Sequence, residues 1–137
     1  MSSMKASLQK TLFFERSIKV DEKRCIGFMG KEGMVYATPM MVSDVEYSCR
    51  DWLLAHLDAG EDSVGTQVVI DHLAPTPLGF TVHLKMEVVE VDRRKIVFSF
   101  SVKDVEEVGR GTHTRFIVDG AKTRERLAAK RARAGAE

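Results

Sequence analysis

Two cysteines, three prolines and one tryptophan in 137 residues leave little room for several chemistries. Cys25 and Cys49 are spaced for neither a redox pair nor a zinc site, which argues against a disulfide scaffold and for a reduced, cytoplasmic setting. No apolar run approaches the ~20 residues needed to cross a bilayer. The opening Met-Ser-Ser-Met-Lys-Ala-Ser-Leu-Gln-Lys lacks the apolar segment of a secretory signal, so no membrane is expected as a partner. Lys and Arg number 21 against 20 Asp and Glu, giving no overall field toward nucleic acid. Residues 122–133 do hold six Lys or Arg. No aromatics interleave them, so they read as a solvated helix rather than a nucleic-acid surface.

What is present is the composition of one ordered domain spanning 1–137. Hydrophobic residues make up 44% and charged residues 30%, enough at this length for a real core. The chain is organised around residues 38–57. Val42, Val45, Cys49, Trp52, Leu53 and Leu57 recur there at helical spacing. Thr38 is the expected N-cap, Pro39 the first helical residue, and Gly60 a stop signal just beyond. The expected helix runs from Pro39 to His56 or Leu57, with Asp44, Arg50, Asp51 and Asp58 on its solvent side. Upstream, residues 11–20 read as a strand. Residues 21–37 read as a long apolar connection with three glycines, more flap than linker. Gly30-Lys31 is no phosphate loop, since neither Ser nor Thr follows.

Downstream the period changes to two. Residues 63–72, 80–91, 95–105 and 106–118 alternate as strands, with Val64, Thr66, Val68, Ile70 and His72 expected on one face of the first. Phe80, Val82, Leu84, Met86 and Val88 are expected inward on the second, and Ile96, Phe98, Phe100 and Val102 on the third. Asp92-Arg93-Arg94 is a hairpin connection. Gly109 and Gly111 suggest a bulge or a close backbone approach. From about residue 119 a short helix passes into a basic tail. A long helix wrapped by a five-stranded antiparallel sheet is an α+β architecture, and the open sheet edge invites a partner subunit.

Three residues stand out as chemistry. Glu46 interrupts the apolar stripe beside Val42 and Leu53, where a carboxylate loses solvation and needs a partner or a purpose. His72 shares the parity of Val68 and Ile70 at the rim of the sheet, on the same inward side, and carboxylate with imidazole is a standard acid/base pair. The structural alternatives are a salt-bridged glutamate and a satisfied core histidine. Thr38 is explained by capping, yet the free N–H groups of its helix start also favour developing negative charge. Thr38 and Glu46 lie about 12 Å apart along the helix, so they can flank one bound group without touching. His83 reads as surface, His56 as a dipole partner at the helix end, and Asp71 as facing away from its neighbour His72.

These residues also resemble a known family. Val35-Tyr36-Ala37-Thr38-Pro39-Met40-Met41-Val42, followed by Val45-Glu46-Tyr47-Ser48-Cys49, is similar to the helix start of the fluoroacetyl-CoA thioesterase group of hotdog-fold proteins. Ser63-Val64-Gly65-Thr66 with His72-Leu73-Ala74-Pro75-Thr76-Pro77, and Gly109 to Arg115, resemble that group's second and closing strands. The resemblance implies hydrolysis of a short or medium acyl-CoA by a homodimer or tetramer with interface sites. It implies no metal or redox cofactor, coenzyme A entering only as part of the substrate. By carry-over Thr38, Glu46 and His72 match catalytic positions, and Gly65 and Arg115 match positions lining the acyl pocket. Glu46 serves there either as nucleophile or as general base. Met29 and Glu32 depart from the family's aromatic lid. The rival readings are an enoyl-CoA hydratase or dehydratase and a non-catalytic acyl-CoA-binding hotdog protein.

Overall fold

The computed structural model describes residues 5–135. In chain order it contains β1 (Phe13–Lys19), a connection holding the two-residue strands β2 (Cys25–Ile26) and β3 (Val35–Tyr36), and the long helix α1 (Thr38–Leu54). There follow β4 (Glu61–His72), β5 (Thr81–Asp92), β6 (Lys95–Lys103), β7 (Glu107–Asp119) and a final helix α2 (Gly120–Ala134). Five strands form one antiparallel sheet in the order β1-β5-β6-β7-β4, while β2 and β3 pair only with each other. Met41, Val45, Cys49 and Leu53 of α1 are wholly buried against Val82, Leu84, Met86 and Val88 of β5 and the inward residues of β6. Each such side chain contributes about 1.5–3 kcal/mol relative to exposure. Trp52 extends the layer, stacked on Phe14 at 4.8 Å and edge-on to Phe98. The fold is the expected α+β hotdog arrangement, a helix wrapped by a five-stranded sheet.

Several local expectations are corrected. The Ala37 carbonyl accepts from the Met41 N–H at 3.0 Å, the first intrahelical bond, so Ala37 is the N-cap and Thr38 is already helical. The Thr38 hydroxyl caps nothing. α1 also stops at Leu54, short of His56. His56 shares a hydrogen bond with Ser7, and its ring lies 4.4 Å from that of Trp52. Its pKa is lowered by burial and then by Lys5, opposite to what a helix dipole would do. Asp44 is not on a solvent face: it is 7% exposed, takes Arg24 Nε and Nη2 on its two oxygens at 3.0 and 3.2 Å, and accepts from the Tyr36 hydroxyl. This network ties the connection before α1 to the helix. Phe80 lies just before β5 and is 41% exposed rather than inward.

The largest correction concerns β4. The register shifts between Gly65 and Gln67, leaving Thr66 as an extra residue opposite β7. A one-residue insertion swaps the faces of everything on one side of it. Val68, Ile70 and His72 therefore face α1 as expected, but so do Ser63 and Gly65, while Val64 turns outward. The glycines of β7 behave as anticipated. A Cβ on Gly111 would lie 1.8 Å from the Val69 carbonyl oxygen, so no side chain fits there. The hairpin from β5 to β6 turns at Arg93-Arg94, with Arg93 at φ 57°. α2 is the expected C-terminal helix and runs on through the basic segment: Asp119 accepts from the Lys122 N–H and Gly135, at φ 70°, ends it. None of the described helices is long and apolar enough to cross a membrane.

Candidate active site

Two groups of side chains meet α1 at different points. At its start, Thr38 Oγ1 and His72 Nδ1 stand 2.7 Å apart, sharing a hydrogen bond whose direction follows the ring tautomer. The final residue of β4 thus meets the first turn of α1. The Tyr36 ring packs edge-on against the imidazole at 6.5 Å. Burial lowers the His72 pKa, with the Ala74 carbonyl opposing it, so the ring is neutral near pH 7. Its Nε2 is buried and has no hydrogen-bond partner among the described residues. A group left in that state costs about 1–3 kcal/mol, so something outside these residues is expected to meet it.

Two turns further along, Glu46 projects toward β4 and β7 beside Gly65 and Arg115, in a cleft of about 290 Å³ that also reaches Ser63. Gly65 leaves room for this crowding. A Cβ there would lie 3.2 Å from Glu46 Oε1, 3.4 Å from Arg115 Nη1 and 3.1 Å from His113 Cε1. Arg115 is buried and donates through Nε to Ser63 Oγ at 2.7 Å and through Nη2 to the Ser63 carbonyl at 2.8 Å. The neighbouring Cys49 thiol is pushed up to about 12, chiefly by burial, which removes it as a nucleophile. No cluster of three metal-ligating side chains occurs among the described residues.

The five expected site residues therefore fall into two sets within one chain. Thr38 and His72 are together, and Glu46, Gly65 and Arg115 are together. The expected carboxylate–imidazole pair of Glu46 with His72 is not made within one chain. Gly65 and His72 are seven residues apart on β4, roughly 20 Å at ~3.3 Å per residue. Sequence reasoning missed His113, fully buried on β7 between Gly65 and Arg115. Its signal was present: it shares the parity of Arg115 two residues on.

The loss of the cap changes one expectation. Thr38→Ala removes the His72 contact but no helix cap, so the midpoint of urea unfolding should shift by less than the ~1 kcal/mol typical of losing a cap. Turnover should fall, and Thr38→Ser should restore it. Full turnover in Thr38→Ala would remove the hydroxyl from the chemistry.

A long helix clasped by a five-stranded antiparallel sheet, with a threonine–histidine contact at the helix start, defines a hotdog-fold protein. The chain belongs to the fluoroacetyl-CoA-specific thioesterase (FlK) family, whose model matches residues 20–121. The fluoroacetyl-CoA thioesterase of Streptantibioticus cattleyicolor is 38% identical over 85 residues, a match spanning 61% of each chain and so about three-fifths of that relative's length. A solved fluoroacetyl-CoA thioesterase FlK superimposes with a TM-score of 0.82 at 27% identity, covering 90% of this chain and 97% of the other. A thioesterase superfamily member from Thermus thermophilus shares the fold at TM-score 0.83 and 22% identity, covering 94% and 97%.

Proposed function

We propose that this protein hydrolyses an acyl-CoA thioester to free acid and coenzyme A, in sites completed between two copies of the chain. The observation that carries the reading is the division of the site. His72 Nε2 is buried without a partner at one end of β4, and Glu46 stands in an open cleft near the other. β4 is an edge strand of twelve residues, and residues 63–70 of it carry no charge, with Val69 54% exposed. Such an edge favours a second strand. If β4 pairs with its own copy about a two-fold axis at Val69, the extra residue at Thr66 brings His72 opposite the partner's Gly65, and so close to the partner's Glu46. Isologous pairing makes two such sites at once.

Thr38 and the free N–H groups at the start of α1 then face the thioester carbonyl and stabilise the tetrahedral oxyanion. Glu46 attacks the carbonyl carbon to give a transient anhydride, or takes a proton from the attacking water. The C–S bond breaks in either case. His72, neutral at the start, relays to the departing thiolate the proton that the attacking water loses, and water supplies the oxygen of the acid. Asp44 takes no part, because its oxygens are occupied by Arg24 and Tyr36; the helix carboxylate that a hydratase would use is therefore committed elsewhere. The test is a panel of acyl-CoAs assayed for free thiol. Thiol release supports hydrolysis, whereas binding without thiol release would leave an acyl-CoA-binding protein.

The loop before α1 sets the acyl preference. Phe28 and Met29 are 81% and 57% exposed, and Glu32 is also turned to solvent, within a segment where Gly30 adopts φ 81°. A carboxylate cannot act as an apolar plug, and a thioether adapts to varied shapes. The ratio of kcat/KM for fluoroacetyl-CoA over acetyl-CoA should accordingly stay below ~10⁴, with butyryl- and phenylacetyl-CoA also accepted. A larger ratio would show a closed, discriminating lid.

A further inference from the structure

His113 is the one buried histidine whose ring is held at both nitrogens. Nδ1 lies 2.9 Å from the Gln67 carbonyl oxygen, beside the β4 bulge. A carbonyl only accepts, so Nδ1 carries the proton and donates. Nε2 is then a bare lone pair, and Arg115 Nη1 donates to it at 3.2 Å. Arg115 is thereby held by Ser63 Oγ, by the Ser63 carbonyl, by the ring and, more weakly at 3.5 Å, by the Glu46 main-chain carbonyl. A buried guanidinium normally rests on a carboxylate. Arg115 makes no such contact within 4.0 Å among the described residues, although Glu46 Oε1 and Arg115 Nη1 crowd the same side of Gly65.

We infer that His113 is a positioning residue, which holds the Arg115 guanidinium beside the Glu46 carboxylate rather than on it. The arrangement leaves the field of a fixed cation across the cleft while keeping the Glu46 oxygens uncommitted. Were the ring acceptor absent, Nη1 would keep only the long bond to the Glu46 main-chain carbonyl and would gain most by turning to the Glu46 carboxylate, and the resulting ion pair would occupy the oxygens needed for attack or proton transfer. The charged groups facing the ring are Arg115 from β7 and Glu46 from α1. Burial, followed by the Arg115 charge, holds the imidazole in its neutral form against the Gln67 carbonyl and Glu46. The kinetic consequence rests on the hydrolase reading above; the tautomer and the Arg115 geometry do not.

The experiment compares His113→Phe, which fills the space without an acceptor, with His113→Gln, whose side-chain oxygen can accept from Arg115. In His113→Phe, kcat should fall by about 10²-fold with KM within ~3-fold of the parent, the scale of a small misplacement of a reacting group. His113→Gln should recover at least ~10-fold of that loss. A crystal structure of the Phe variant should show Arg115 Nη1 in ion-pair contact with Glu46. Equal losses in both variants, or near-parent kcat in the Phe variant, would overturn the inference. So would an Arg115 that stays in place. If neither variant folds, imidazole nitrogen NMR of the parent protein decides: a protonated Nδ1 and unprotonated Nε2 support it, and the opposite tautomer sinks it. If the parent releases no thiol from any acyl-CoA, the hydrolase reading fails alone, and the NMR and crystallographic results still stand for or against His113.

Discussion

Glu46→Gln is expected to keep the fold and the assembly and to lower kcat by at least ~10²-fold with the preferred acyl-CoA. The substitution keeps the shape of the side chain and removes only its capacity to attack or to take a proton. Structural damage should be small, because the carboxyl group takes no hydrogen bond among the described residues and sits in an open cleft. A glutamate kept merely for solubility at the margin of a helix would tolerate glutamine. Near-parent turnover would therefore return Glu46 to a structural role. A trapped acyl-enzyme in the parent, seen by mass spectrometry after rapid quench, would assign the nucleophilic route over the general-base one.

His72→Ala should cost turnover on a similar or greater scale, since it removes both the proposed proton carrier and the partner of the Thr38 hydroxyl. The pH dependence follows from the direction of its shift. Burial lowers the His72 pKa below the ordinary ~6.5 of imidazole, so the neutral ring persists to lower pH than a free histidine would allow. Activity that needs the neutral ring should hold steady through pH 7 and decline only below ~6.5 as His72 gains its proton. The linked stability has the same sign. The unfolded chain binds this proton first, so the contribution is complete above ~6.5 and is lost as the pH falls through the lower, folded pKa. A decline centred above pH 7 would mean that another group controls the step.

The helix and the inward residues of β5 and β6 were legible in the sequence because burial there follows a single unbroken period. The stripe through Val45, Cys49 and Leu53 and the alternation of Val82 to Val88 and Ile96 to Val102 contain no insertion, although the stripe begins at Met41, which is wholly buried, and not at the expected Val42. β4 was only half legible. Its alternation is real on each side of Thr66, but nothing in Ser-Val-Gly-Thr-Gln announces an extra residue, and the face of Gly65 depends on it. Asp44 was misplaced for a related reason. Helical spacing assigns a residue to a side of the helix, and that side turned out to be covered by Arg24 and Tyr36 from a connection with little regular structure. The threonine at position 38 looked like a cap because its residue type and the following proline suit one. The backbone places the cap one residue earlier and turns the hydroxyl to His72. Thr38, Glu46 and His72 stood out from the residues themselves, Gly65 and Arg115 came from resemblance, and the grouping came from the structure. Periodicity could not show that Glu46, on α1, meets β4 at Gly65, far along that strand from His72.

That separation makes complementation the most direct test of a site shared between two copies. Glu46→Gln and His72→Ala proteins, each inactive alone, are unfolded together, refolded and assayed for thiol release. In a mixed dimer one site carries both defects and the other carries neither. Statistical mixing should thus restore roughly a quarter of parent activity from two inactive preparations. Mixed dimers that form, as shown by differential tagging, yet release no thiol would place Glu46 and His72 in the service of a single chain and contradict the account.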